Sequence, residues 1–569
     1  MNESQERATS PHPRRLKIRP GSDPWLVAAG TIALLVATPI LVVVSSLVSP
    51  SSDIWAHLWE TQLVELIWNT LILIIGVGLG VLVMGTGLAW MVTMYRFPGR
   101  ALFEWLLILP LAIPSYVFGF VFLAIFDYAG PVQSWLRGLF GPQVWFPEIY
   151  SYGGVTIVMT LVLYPYVYLL ARAAFLEQAG ATLETARSLG ARPIDVFWKV
   201  ALPLARPSLA AGLAFALMEA LADFGTVAIF GYPTFTVAIY KVWFGMFDRG
   251  AATELASLLI FFTLGLYLLE RTARGRARFY QTEGTVRAAG PKRLRGWKGP
   301  MASSVAILVV GVAFALPVAQ LLVWAAGSIE YEDRYLEFVV NTLLLGATTA
   351  ALAIGAAVVV AYGLRLSSHR FVRIFARIAN MGYALPGSVI AVGVLVPLAF
   401  FDHSLDALLQ STVGISIGLV FTGSMFGLVF AYLVRFLAVG CQTVEASLSK
   451  VTPNMDMAGR SLGVSKGGVL WRIHLPLIRG GLSAAAILVF VDVMKEMPAT
   501  LLLRPFGYET LAVRVWQLTS ESLWEAAALP ALTIVVAGIL PVMLLVGGHI
   551  RPGSGRGYSI HSSLPGSSM

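Results

Sequence analysis

"ETARSLGARPIDVFWKVALPLARP", residues 184–207, is a charged stretch with a glycine and three prolines, set between apolar runs long enough to cross a membrane. A related stretch, "MAGRSLGVSKGGVLWRIHLPLIRG", occupies residues 457–480. Arg187, Ser188, Leu189 and Gly190 recur as Arg460, Ser461, Leu462 and Gly463. Further on, Val196, Trp198, Leu202, Pro203, Leu204, Arg206 and Leu209 recur as Val469, Trp471, Leu475, Pro476, Leu477, Arg479 and Leu482. Outside the modules, "NTLILIIGVGLG" at 69 matches "NTLLLGATTAAL" at 341, and "LAIPS" at 111 matches "YALPG" at 383. The chain is therefore a duplication at the scale of a whole domain.

Hydrophobic residues make up 57% of the 569 positions and charged residues only 12%, more apolar surface than a soluble core can hide. Roughly 20 apolar residues are what a helix needs to cross the hydrocarbon. Runs of that kind lie at 25–48, 66–94, 102–126, 153–175, 207–230, 252–270, 301–326, 338–364, 374–400, 411–437, 480–503 and 525–549. Alternating apolar and polar decamers are absent, which argues against an outer-membrane barrel. The expected fold is an all-α polytopic membrane protein of about 12 transmembrane helices in two homologous six-helix halves.

The first run follows Arg14, Arg15, Lys17 and Arg19 and is too long for the core of a signal peptide, so it reads as a retained helix with a cytoplasmic N-terminus. Threading twelve spans from there leaves most of the 40 Lys and Arg beside the cytoplasm, the positive-inside asymmetry. The net charge of +9 then reflects topology rather than nucleic-acid binding. A cytoplasmic tail over 1–24, a first half over 25–270, a basic linker over 271–300, a second half over 301–549 and a cytoplasmic tail over 550–569 follow from the same count. The linker carries Arg274, Arg276, Arg278, Lys292, Arg293 and Arg295 and is expected near anionic headgroups. A lone Cys441 excludes an intramolecular disulfide and a cysteine metal cluster.

Six spans separate the copies, so both halves enter the membrane from one side, as a parallel repeat about an axis along the membrane normal. Both polar modules, at about 176–206 and 438–479, then share the cytoplasmic face. Each reads as a short helix stopped at Gly190 or Gly463, where glycine suits a left-handed cap. A second short helix follows, started by Pro193 or capped by Ser465, and ended by Pro203 or Pro476. An ordinary amphipathic surface element would explain one such loop. Two copies with the same Gly and Leu-Pro spacing point to a symmetric cytoplasmic partner.

The pattern Glu184, Ala186, Gly190, Leu202 and Pro203 resembles the coupling loop of permease subunits of binding-protein-dependent ABC importers. The second copy carries Gly459, Gly463, Leu475 and Pro476, with Met457 where Glu184 stands in the first copy and Asp456 adjacent. "LADFGTVAIFGYPTFTVAIYKVW" after the first loop and "KEMPATLLLRPFGYETLAVRVW" after the second narrow the resemblance to the fused, twelve-span ferric-iron permeases. The resemblance implies two copies of an ATPase subunit gripping the loops, a periplasmic binding protein outside, and a bacterial inner-membrane location. ATP and magnesium belong to the partner ATPase and no cofactor to this chain, in which no G-x-x-x-x-G-K-[ST] phosphate loop occurs.

Glu219 and Asp223 fall within the fifth run, four apart and so expected on one helix face; Asp492 and Glu496 are their counterparts in the eleventh. Each charge at the bilayer centre costs about 2.5 to 3.5 kcal/mol, so the four should face the interior between the halves. Hard oxygen donors suit a hard cation such as ferric iron, which these four would contact transiently along a translocation pathway without a tightly bound metal. The alternative is that they are pairing and gating groups, Asp492 with Lys495 for example. Glu330, Glu332, Asp333 and Glu337 form an acidic outer loop, either simply solvated or a dock for basic residues of the binding protein.

Seven scattered histidines with no H-E-x-x-H spacing offer no catalytic zinc site. Tyr164, Tyr166 and Tyr168 read as packing residues rather than ligands. Ferric iron is the preferred cargo, with thiamine, polyamine or an inorganic oxyanion behind it. A gradient-driven transporter of twelve spans would use the carboxylates as proton carriers but would leave the paired modules unexplained. A membrane-embedded enzyme lacks a nucleophile, base and orienting group at a telling spacing.

Overall fold

The computed structural model describes residues 24–48, 52–178, 190–274, 291–327, 333–367 and 369–550. The two tails, the middle of the basic linker, Glu184 and Ala186 of the first module, and Glu330 and Glu332 of the acidic loop lie outside them, apart from the tail residues Pro24 and Ile550.

Among the described residues 12 helices are long and apolar enough to cross a membrane. In order they are Pro24–Val48, Leu63–Met94, Ser115–Phe140, Tyr152–Gln178, Pro193–Ala222, Arg249–Leu268, Lys298–Gly327, Tyr335–Leu366, Gly387–Val413, Met425–Leu448, Gly467–Lys495 and Trp524–Met543. They are called the first to the twelfth span below. Long lipid-facing faces such as Leu34, Ile75, Leu79 and Val83 stay exposed, as the bilayer rather than the protein is their solvent.

Several spans differ from their apolar runs, each for a local reason. The run at 102–126 is broken into helices Arg100–Leu106 and Ser115–Phe126 by a turn at Leu109–Ala112, because Pro110 and Pro114 remove donors and push the residues before them out of the helical region. A second break at residues 127–130 precedes helix Pro131–Phe140. The run at 374–400 is divided in the same way, into Arg370–Ala379 and Gly387–Val413. The run at 411–437 begins in a loop: Gly414, Gly418 and Gly423 have φ of 72°, 62° and 70°. Asp402 collects the N–H groups of Val420, Phe421 and Thr422, while Asp406 collects those of Ile417 and Gly418. Backbone held by carboxylates in this way has no need of a helix.

Pro203 and Pro476 do not end a helix as expected. Each module runs straight into its span through a π-helical turn, Phe197–Ala201 in the first copy and Leu470–His474 in the second. The widened turn makes room for the proline ring and absorbs its missing donor, so the fifth and eleventh spans begin well before their apolar runs.

The packing is exchanged between the halves. One core joins the second to fifth spans with Ala302, Ala306 and Leu321 of the seventh and Ala527, Ala531 and Ile534 of the twelfth. The other joins the eighth to eleventh spans with Val36 and Val43 of the first and Leu255, Ala256 and Leu259 of the sixth. Each half thus lends its first and last spans to the other. Where the linker reappears, Lys292 and Arg293 pair in parallel with Tyr95 and Arg96 at the end of the second span.

The repeated Asn-Thr-Leu has a common purpose. Asn69 donates to the Pro233 carbonyl at 3.2 Å and its own carbonyl accepts from the Tyr232 hydroxyl at 3.1 Å. Asn341 donates to Glu509 O at 3.1 Å and accepts from the Tyr508 hydroxyl at 2.9 Å. Both asparagines satisfy turn backbone that follows a broken span.

Candidate functional site

The fifth span stops at Ala222 and the eleventh at Lys495, and both resume as short helices, Gly225–Ile229 and Pro498–Leu503. The break comes at the carboxylates themselves. Asp223 is extended, with φ −67° and ψ 128°, and Glu496 likewise, with φ −71° and ψ 116°. Asp223 accepts from the N–H of Thr226 at 2.8 Å and of Val227 at 3.3 Å, and Glu496 from that of Ala499 at 3.0 Å. Each therefore caps the helix that follows it, a position that favours an extended backbone and a side-chain acceptor. Glu219 and Asp223 consequently do not share one helix face as their spacing predicts.

All four carboxylates nonetheless converge. Glu219, Asp223, Asp492 and Glu496 line one cavity of about 130 Å³ between the halves, with Arg435, Lys495, Ser115, Tyr116, Tyr166 and Tyr383. Helix ends at bilayer depth are tolerated where they border such a cavity. Tyr116 is 5% exposed, and its hydroxyl has no hydrogen-bond partner among the described residues.

The two halves satisfy their acids differently. In the second, the Arg435 guanidinium lies 3.2 Å from Glu496, and Lys495 Nζ lies 3.7 Å from Asp492. In the first, Asp223 accepts from the hydroxyls of Ser115 and Thr226, and Glu219 accepts from the Tyr383 hydroxyl at 3.2 Å. Neither acid of this first pair forms an ion pair among the described residues, and Arg435 acts on Glu219 only across the cavity. With all groups ionised the lining carries four negative and two positive charges, so it favours a cation.

Ser115 and Gly387 occupy matching places in "LAIPS" and "YALPG", and the exchange has a steric cause. A Cβ on Gly387 would meet Arg435 Nη1 and Glu496 Oε1, both at 2.3 Å. Gly387→Ala should therefore push the buried ion pair apart and lower the melting temperature of the detergent-purified protein, whereas Ser115→Ala removes one hydroxyl and should shift it much less.

The module of the second copy lies within the described residues. Helix Pro453–Ser461 ends at Gly463, whose φ of 80° is the left-handed cap expected, and Gly190 has φ 84°. Ser465 Oγ accepts from Gly468 N at 3.1 Å and starts the second helix, Lys466–Val469. Gly459 lets the two helices close, since a Cβ there would meet Ile473 Cδ1 at 2.6 Å. Leu462 and Met457 point outward, 84% and 61% exposed. Leu202 and Leu475 open the continuing helices, with Pro203 and Pro476 in their first turns. Asp456, adjacent to Met457, is held within the chain. Its Oδ2 accepts from Arg365 Nε at 3.2 Å and Nη2 at 3.0 Å, and its Oδ1 lies 2.5 Å from His474 Nε2.

In the acidic segment, Glu337 pairs with Arg334 at 3.0 Å, and Arg334 also reaches the Gly507 carbonyl. Asp333 stands in the turn before it. Tyr164 and Tyr168 are packing residues as expected, donating to the carbonyls of Leu107 and Glu104. Tyr166 differs, because on a helix it faces away from both and lines the cavity. Sequence reasoning missed Arg435, although a single arginine inside the apolar run 411–437 is itself a signal of an inward partner. It also missed Tyr383 and Ser115, which carry no such mark.

Comparison with known proteins agrees with this architecture. Residues 82–273 match the family described as the binding-protein-dependent transport system inner membrane component. A Fe(3+)-transport system permease protein of Haemophilus influenzae is 29% identical over 499 residues, 86% of this chain and 90% of that protein. A ferric transport system permease protein of Actinobacillus pleuropneumoniae is 22% identical over 78% of this chain and 65% of its own length. The sulfate transport system permease protein of Escherichia coli is 30% identical over 270 residues, 46% of this chain and 95% of that protein. The shorter relative thus matches a stretch of about half the chain, and the first ferric relative nearly all of it. With its duplicated modules and twelve spans, the chain belongs to the binding-protein-dependent ABC transport permease family, as a fused two-half member of the ferric-iron type.

Proposed function

We propose that the chain is the membrane subunit of an ATP-driven importer that carries ferric iron, delivered by a periplasmic binding protein, across the inner membrane. Its termini and both modules lie in the cytoplasm, where two copies of an ATPase subunit bring ATP and magnesium. Closure of the ATPase pair rocks one half against the other and turns the cavity from the outer to the inner side. Residues Glu184, Ala186, Gly190, Leu202 and Pro203, with Gly459, Gly463, Leu475 and Pro476, form the two coupling modules. Glu330, Glu332 and Asp333 meet basic residues of the binding protein, with Glu337 holding the loop through Arg334.

The observation that carries the reading is the excess of carboxylates over cations in the cavity between the halves. Hard oxygen donors of Glu219 and Asp223, beside the Tyr116 and Tyr383 hydroxyls, suit a hard trivalent cation in transit. The same excess opposes an oxyanion, even though a sulfate permease is among the relatives.

The test is uptake and ATP hydrolysis in proteoliposomes holding this chain, its co-purifying ATPase and candidate binding proteins. Stimulation and uptake with the ferric-loaded binding protein alone are expected. Stimulation by a thiamine-loaded protein alone would overturn the iron assignment. Proton-driven uptake without any ATPase would overturn the ATP-driven reading in favour of a secondary transporter.

A further inference from the structure

We propose that Arg365, Asp456 and His474 form a rigid latch tying the second coupling module to the membrane helices, through which this module transmits ATPase movement. The role rests on the ATP-driven reading above; the latch itself does not.

One guanidinium joins four elements. Arg365 lies in the last turn of the eighth span. Besides its two bonds to Asp456 on the module helix, it donates from Nη1 to the Leu448 carbonyl at 2.9 Å and from Nη2 to the Val451 carbonyl at 3.0 Å. Those carbonyls close the C-terminal end of the tenth span, where backbone acceptors stand unsatisfied. Asp456 then passes the connection through Oδ1 to His474, in the π-helical turn at the root of the eleventh span. The Tyr362 ring, one turn before Arg365, stands edge-on to the His474 ring at 5.5 Å.

The cluster is sheltered enough to be stiff. His474 is fully buried, and the side chains of Arg365 and Asp456 are 18% and 26% exposed. A planar, multiply bonded guanidinium fixes direction as well as distance, unlike a single ion pair on a solvated surface. A push on the exposed Leu462 and Met457 therefore reaches the eighth, tenth and eleventh spans as one body.

At the places of the first half that match Arg365, Asp456 and His474 stand Thr93, Leu183 and Ala201, with Leu183 outside the described residues. Among the described residues Thr93 bonds to the Ala89 carbonyl of its own helix, and Arg172 with Glu104 joins the fourth span to helix Arg100–Leu106. The three side chains of the latch are therefore not repeated in the first copy.

Two readouts on the full chain decide the matter. A spin label at Leu462→Cys, in a Cys441→Ala background and without ATPase, should be immobilised in the parent and mobile when Asp456→Asn or Arg365→Met is added. Equal line shapes would overturn the latch. In proteoliposomes with ATPase and loaded binding protein, either substitution should lower solute moved per ATP hydrolysed by about tenfold while the ATPase still co-purifies, and the double substitution should be no worse than either single one. An unchanged ratio in both single variants would overturn the transmission role. Failure of the parent to recover an ATPase would overturn the ATP-driven reading and the transmission role with it, and the label would still decide the latch.

Discussion

Glu219→Gln combined with Asp223→Asn should lower ferric uptake by roughly a hundredfold, because a unit charge about 4 Å from a cation contributes several kcal/mol near a protein surface and each 1.4 kcal/mol is tenfold. Among the described residues these two acids hydrogen-bond to hydroxyls and backbone N–H groups rather than to a cation, so their charge remains available to the cargo. Gln and Asn keep the acceptor oxygens that bond Tyr383 and cap the short helix, so the fold should survive. Yield of monodisperse protein and of ATPase complex checks that point. Asp492→Asn should cost much less, since Lys495 already offsets that charge. Equal losses from the two halves, or unchanged uptake in the first-half pair, would remove these carboxylates from the pathway.

Arg435→Met should destabilise the folded chain by roughly 3–5 kcal/mol, the cost of leaving one member of a buried ion pair uncompensated. Glu496 is 5% exposed, and its other described polar contact is with the N–H of Ala499. Protein yield and melting temperature in detergent should fall together. Adding Glu496→Gln should restore most of both, because a neutral amide still caps the helix and no longer needs a cation. Additive losses in the double substitution would show that Arg435 acts through something other than Glu496.

The apolar run lengths already carried the span count, since about 20 such residues in hydrocarbon can satisfy their backbone only as helix. Local chemistry was equally legible where a motif has one physical solution. Gly190 and Gly463 both adopt the left-handed conformation expected of a cap. Legibility failed where an apolar run contains a reason not to be helical. The stretch at 411–424 is as hydrophobic as a span, yet Asp402 and Asp406, many residues earlier, take its N–H groups. The four carboxylates could be seen to face inward and Lys495 to pair with Asp492, but the partners of Glu219, Asp223 and Glu496 could not be read from spacing.

What the sequence by itself determined is the duplicated, twelve-span helical plan and the paired modules, because hydrophobic periodicity and turn chemistry act between near neighbours. Only the tertiary structure decided how the halves exchange their first and last spans, that Arg435 pairs with Glu496 rather than with Glu219 or Asp223, and that Asp456 turns inward to Arg365. The two ion pairs join residues 61 and 91 positions apart. In a low-dielectric interior such contacts are selected by which charge can find a counter-charge, not by the chain's local preferences.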